Sequence, residues 1–108
     1  MFIIFDYDTD QARKIIKKCK DVKISPHVLE NWLERGIDFN YVEECLTTKV
    51  PLGNNKTMEN RFKLIYPHKT KPSEDLYIII EINDYQDVEV VTIYSFNKNR
   101  REKQYEIR

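Results

Sequence analysis

Apolar residues recur at helical spacing three times in the first half of the chain and at a spacing of two in the second half. Residues 1–5, MFIIF, read as a short strand. Asp6 to Asp10 then supply turn and cap oxygens, and a helix follows with Ala12, Ile15, Ile16 and Cys19 on one face. Lys14, Lys17, Lys18 and Lys20 fill the rest of that surface and read as its solvated side. The next helix is announced by Ser25 as N-cap and Pro26 at the first helical position, where a missing N–H costs nothing. Gly36 is suited to stop it as a left-handed C-terminal cap. Val28, Leu29, Trp32 and Leu33 cover one apolar arc of this helix, and His27, Asn31 and Arg35 form a row at its border. A third helix, starting at or after Asp38 and running to about Lys49, would bury Val42, Cys45 and Leu46.

After Pro51 the period changes to two. LGNNKTMEN is turn-rich by composition, and RFKLIY then alternates, with Phe62, Leu64 and Tyr66 on one face and Arg61 and Lys63 on the other. LYIIIEI is apolar almost throughout, as a central strand covered on both faces would be. NDYQD is a turn by composition. VEVVTIYSF is the last clear strand, alternating Val88, Val90, Thr92 and Tyr94 with Glu89, Val91, Ile93 and Ser95. Tyr105 and Ile107 belong either to a short extra strand or to a frayed end. Helices first and a meander afterwards predict an α+β fold, with the N-terminal helices packed on one face of an antiparallel sheet of about four strands.

Length adds that 108 residues suit a single domain, residues 1–108, that needs no disulfide or metal staple. With 33% charged and 41% hydrophobic residues, the composition is that of a globular chain rather than a disordered or membrane-embedded one. The apolar run from Phe2 to Phe5 is too short for a signal peptide or a span and lacks a basic stretch before it. A cytoplasmic protein without membrane contact is expected. Cys19 and Cys45 sit in helical patterns away from any CxxC or Cys/His cluster, and read as small core residues. Lys and Arg together number 18, and so do Asp and Glu. Bulk electrostatics therefore excludes a generic polyanion binder but leaves a local basic site open. The last twelve residues carry five cations against Glu102 and Glu106, while Glu81, Asp84, Asp87 and Glu89 gather about one turn.

No metal signature, Gly-rich phosphate loop or nucleophile elbow is present, so neither a metal nor a cofactor is expected. What remains suits an RNA phosphodiester. Cleavage by the 2′-hydroxyl needs a base, an acid for the leaving oxygen, and positive charge on the phosphorane-like oxygens. His27 in the first turn of its helix, Arg61 and Lys63 on one strand, and Thr92 and Tyr94 on another supply those groups. Each also has an ordinary role. A lone histidine at a helix start is commonly a surface residue, Arg61 and Lys63 are solvent-face residues of an alternating strand, and Thr and Tyr are good strand formers.

The strings SPHVLENWLERGI, VEECL, RFKLIY, LYIIIEI and VEVVTIY together tilt that balance. They resemble a small bacterial and archaeal domain family whose pattern is Ser-x-His-Ala-x-x-Arg, then Arg-Gly-Ile, then Val-x-x-x-Leu, with three strands after it. That family is similar to RelE and BrnT toxins, within the barnase–EndoU–colicin–RelE group of metal-independent ribonucleases. The resemblance covers about residues 24–95, leaving 1–23 as a strand–helix extension and 96–108 as a basic C-terminal segment. It implies a RelE-like fold and a toxin-like endoribonuclease of a toxin–antitoxin system. In that reading His27, Arg61, Thr92 and Tyr94 are catalytic and Lys63, Arg35 and Asn31 bind substrate. The implied partners are RNA, free or on the ribosome, and an antitoxin protein. Val28 and Asn31 stand where the pattern has alanine and arginine, and Asn31 lacks arginine's permanently charged fork. With the zero net charge, Asn31 favours the alternative, a non-catalytic protein- or RNA-binding module on the same scaffold. A DNA-bound regulator carries little weight, because no helix has a basic face with base-reading residues beside it.

Overall fold

A computed structural model describes residues 7–18, 22–35, 38–58, 60–83 and 87–99, with backbone alone over 31–35. The expected strand over 1–5, Cys19, the Gly36 cap and the Tyr105–Ile107 strand lie outside the described residues, as does the basic tail from Arg100 onward.

Three helices come first: α1 (Thr9–Lys18), α2 (Pro26–Arg35) and α3 (Phe39–Thr48), with a two-residue strand β1 (Lys23–Ile24) before α2. Local chemistry fixes each start. Asp8 Oδ1 accepts from the Gln11 N–H at 2.8 Å, and Gln11 Oε1 accepts from the Asp8 N–H at 2.9 Å, a reciprocal capping box. Ser25 Oγ lies 3.4 Å from the Val28 N–H, and the Ser25 N–H donates to Val90 O, so the cap also ties α2 to the sheet. Asp38 accepts from the backbone N–H groups of Asn40 and Tyr41.

The sheet has five strands in the order β1-β5-β4-β3-β2, where β2 is Gly53–Met58, β3 Arg61–Pro67, β4 Glu74–Ile82 and β5 Val88–Asn97. The fold is α+β, as expected, but the sheet is larger than expected and mixed. β1 runs parallel to β5, and the turn-rich segment after Pro51 is the edge strand β2, paired antiparallel to β3 from Gly53 to Met58. Turn-forming residues such as Gly53 and Asn54 are tolerated at a sheet edge, where one row of hydrogen bonds and one neighbour suffice. β4 is the middle strand, as its apolar run predicts.

All three helices pack on one face of this sheet. Phe62, Leu64 and Tyr66 of β3, Leu76, Ile78, Ile80 and Ile82 of β4, and Val88, Val90 and Ile93 of β5 form the sheet side of the core. Ala12, Ile15 and Ile16 of α1, Val28 of α2, and Val42, Cys45 and Leu46 of α3 form the other side. Among the described residues no helix lies on the opposite face.

One irregularity in β5 decides which side chains reach that opposite face. The pairing of β4 with β5 slips between Ile79, opposite Thr92, and Ile80, opposite Val90, leaving Val91 as an extra residue. This β-bulge reverses the alternation. Val88 and Val90 point into the core, whereas Thr92 and Tyr94 share the helix-free face with Ile79 and Tyr77. The strict alternation expected from sequence, with Val88, Val90, Thr92 and Tyr94 on one side, is thereby corrected.

Candidate binding face

The helix-free face is built by alternate residues of the three long strands. Strand β3 contributes Arg61, Lys63 and Ile65, each directly opposite a β4 residue: Glu81, Ile79 and Tyr77 respectively. Strand β5 brings Thr92, Tyr94 and Phe96 opposite Ile79, Tyr77 and Asp75. Cross-strand neighbours are close enough to interact, and here they do. The Tyr77 and Tyr94 rings lie 5.2 Å apart and tilted by 38°. Phe96 meets both edge-on, 5.5 Å from Tyr77 and 5.2 Å from Tyr94. The Lys63 ammonium stands 5.8 Å from the Tyr77 ring centre, within cation–π range. Tyr77 and Ile65 are fully buried, while Lys63, Thr92, Tyr94 and Phe96 are only partly so.

Charge on this face is arranged by position. At one end Arg61 donates to Glu81 at 2.7 Å, a half-exposed pair. Beside it Lys23 lies 3.4 Å from Asp87, and Glu89 is paired in register with Lys23. Lys23, Glu81, Asp87 and Glu89, with Asn83, line a cleft of about 130 Å³ open to solvent. Two of its three carboxylates are committed to cations, and among the described residues no group of three His, Cys, Asp or Glu side chains is placed to hold a metal ion. The aromatic end carries Lys63, with Asp75 buried in the same strand as Tyr77.

Four of the sequence-predicted residues therefore come together: Arg61, Lys63, Thr92 and Tyr94 share one sheet face. His27 does not join them. It is exposed in the first turn of α2, the helix that packs Val28 into the core from the other side of the sheet. Asn31 and Arg35 are also on α2, where only the backbone is described. The second histidine, His68, acts locally, since its Nδ1 accepts from the N–H groups of Thr70 and Lys71 and shapes the β3–β4 turn. Cys45 is free and wholly buried, and burial pushes its thiol up to about 11, so it is no nucleophile at neutral pH. Tyr41 is likewise pushed up by burial, to about 12, with its hydroxyl donating to Pro67 O.

Tyr77 and Phe96 carry no signal in the sequence that marks them as site residues. Tyr77 lies in the continuous apolar run of β4, where no alternation identifies its face. Phe96 is two residues beyond Tyr94, but the spacing becomes meaningful only once the bulge has set the phase of β5.

No family model, no curated protein and no solved structure matches the chain.

Proposed function

We propose that this protein is a non-catalytic module that holds a short stretch of single-stranded RNA on its helix-free sheet face. The observation that carries this reading is the grouping of Tyr94 and Phe96, partly exposed and in ring contact, beside the Lys63 ammonium. Partly exposed rings on a sheet offer stacking surfaces to unpaired bases, and a neighbouring cation suits the phosphate between them. Arg61 has part of its charge answered by Glu81 and serves as a second, weaker phosphate contact.

The separation of His27 from these residues argues against a shared catalytic site. General acid–base chemistry needs the histidine within hydrogen-bond reach of the proton it moves. A histidine on the helix layer cannot reach a phosphodiester held on the far face of the sheet. A ribonuclease reading would need a different base or a different site. A second reading, a protein partner along the β2 edge, is favoured by Val50, Leu52 and Met58, which are 60%, 47% and 62% exposed on or just before that strand.

Anisotropy titration of labelled RNA oligonucleotides tests the RNA reading. Single strands are expected to bind and duplexes are not. Tyr94→Ala should weaken binding roughly 5- to 150-fold, the equivalent of about 1–3 kcal/mol for one stacked base. His27→Ala should change nothing, and the RNA should remain intact in the presence of EDTA. Unchanged affinity in Tyr94→Ala would sink the proposal, and His27-dependent cleavage would restore the enzyme.

A further inference from the structure

The opposite side of the molecule holds a second feature that the sheet face does not use. Where α1 meets the end of α3, a shallow cleft opens to solvent, with Ile16, Leu46 and Leu64 as its apolar floor. Its rim carries three cations, Arg13 and Lys17 from α1 and Lys49 just after α3, and no carboxylate lines it. Arg13 and Lys17 are four residues apart, so they stand one above the other on the same helix face. None of the three has a carboxylate within ion-pair distance among the described residues. Lys49 instead rests 5.6 Å from the Tyr41 ring centre. Four other cations are matched by carboxylates: Lys23 by Asp87, Arg61 by Glu81, Lys69 by Asp38 and Lys71 by Glu74.

Three like charges at one mouth repel one another, and no carboxylate beside them relieves that repulsion. Such a site gains most from a compact anion that several cations share. The cleft is shallow and open, so it suits a single compact oxyanion seated at its mouth among the three cations rather than an enclosed nucleoside. Arginine brings a planar fork that fits two phosphate oxygens, and lysines add point charges.

We propose that the cleft between α1 and α3 binds a phosphomonoester-type oxyanion, with Arg13 as the bidentate contact and Lys17 and Lys49 completing the shell. The chemistry is shared by inorganic phosphate and by the terminal phosphate of a short 5′-phosphorylated RNA, and the two are separable by experiment. Thermal unfolding of the full chain is followed with inorganic phosphate and with sodium chloride at matched ionic strength. Phosphate is expected to raise the midpoint and chloride is not. In Arg13→Gln/Lys17→Gln the phosphate effect should disappear, with apparent affinity down about tenfold or more for the loss of two charge-assisted contacts. Tyr94→Ala should leave it intact, so failure of the RNA-binding face and failure of this site are distinguishable. A 5′-phosphorylated trinucleotide that binds more tightly than its 5′-hydroxyl twin, through Arg13 and Lys17, identifies the RNA end as the source. Equal binding of the two assigns the site to small phosphate species. Equal stabilisation by chloride, or a phosphate effect that survives the double substitution, overturns the proposal.

Discussion

Asp38 joins two roles in one carboxylate. One oxygen caps α3 by accepting from the backbone N–H groups of Asn40 and Tyr41, and the other accepts from the Lys69 ammonium. The hydrogen bond from Lys69, followed by the Tyr41 N–H, holds the carboxyl below its ordinary value of 3.8. A depressed carboxylate contributes stability that is fully present above that ordinary value and is lost as pH falls through the lower, folded one. The same bond holds Lys69 above 10.5, so its share is complete below 10.5 and is lost only as pH rises through the folded value. Asp38→Asn keeps an acceptor for the cap but removes the titration. The urea midpoint of the wild type should therefore fall more steeply than that of Asp38→Asn as pH is lowered from about 5 through 3.8 and below. Parallel slopes would show that the pair contributes nothing through ionisation. Residues of this kind are legible in a sequence because caps act over three or four positions: Asp38, Ser25 and the oxygens before α1 all cap where the sequence places them. His27 is legible as a residue at a helix start and illegible as a site member, because the sheet face it would have to meet is set by contacts far along the chain.

Element by element, the amphipathic pattern locates the helices within a residue or two. It locates β3, β4 and β5 as well, since each places a block of Leu, Ile, Val or Phe against the helices. It misses β1, which is two residues long and exists through parallel pairing with Glu89 and Val90. It misses β2 because Gly53, Asn54 and Asn55 favour turns intrinsically, and only the neighbouring β3 makes them a strand. The bulge at Val91 is the most consequential silence. VEVVTIYSF alternates β-branched residues so evenly that no position announces an insertion, and the slip shows only against Ile79 and Ile80 of β4. Its function can be tested by removing it. Deleting Val91 joins Val90, opposite Ile80, directly to Thr92, opposite Ile79, so Val88, Val90 and Ile93 all keep their almost completely buried places in the core. The deletion should therefore keep a cooperative unfolding transition, and Val91→Ala, at a partly exposed position, should cost about 1 kcal/mol. Loss of the cooperative transition in the deletion, followed by urea denaturation, would mean that the bulge itself is required for the fold.

At the scale of the whole molecule, neutrality sets a limit on how any nucleic acid is held. Equal numbers of acidic and basic residues leave no net field to gather a polyanion, and no helix among the described residues is long and apolar enough to cross a membrane. Among the described residues the proposed binding face carries Lys63, with Arg61 and Lys23 each already paired to a carboxylate, cations enough for about two phosphates. Each phosphate neutralised on a single strand contributes about −0.7 to the slope of log affinity against log salt. The expected slope is therefore about −0.7 to −1.4, shallow beside that of proteins whose hold on nucleic acid is mainly electrostatic. Replacing Lys63 by Gln should make it shallower by about 0.7, while Tyr94→Ala should weaken binding with the slope unchanged, because stacking releases no counterions. The two substitutions thus separate charge from stacking on one face. A slope steeper than about −3 would require at least four neutralised phosphates, more than the described residues of this face supply, and would bring in cations beyond them.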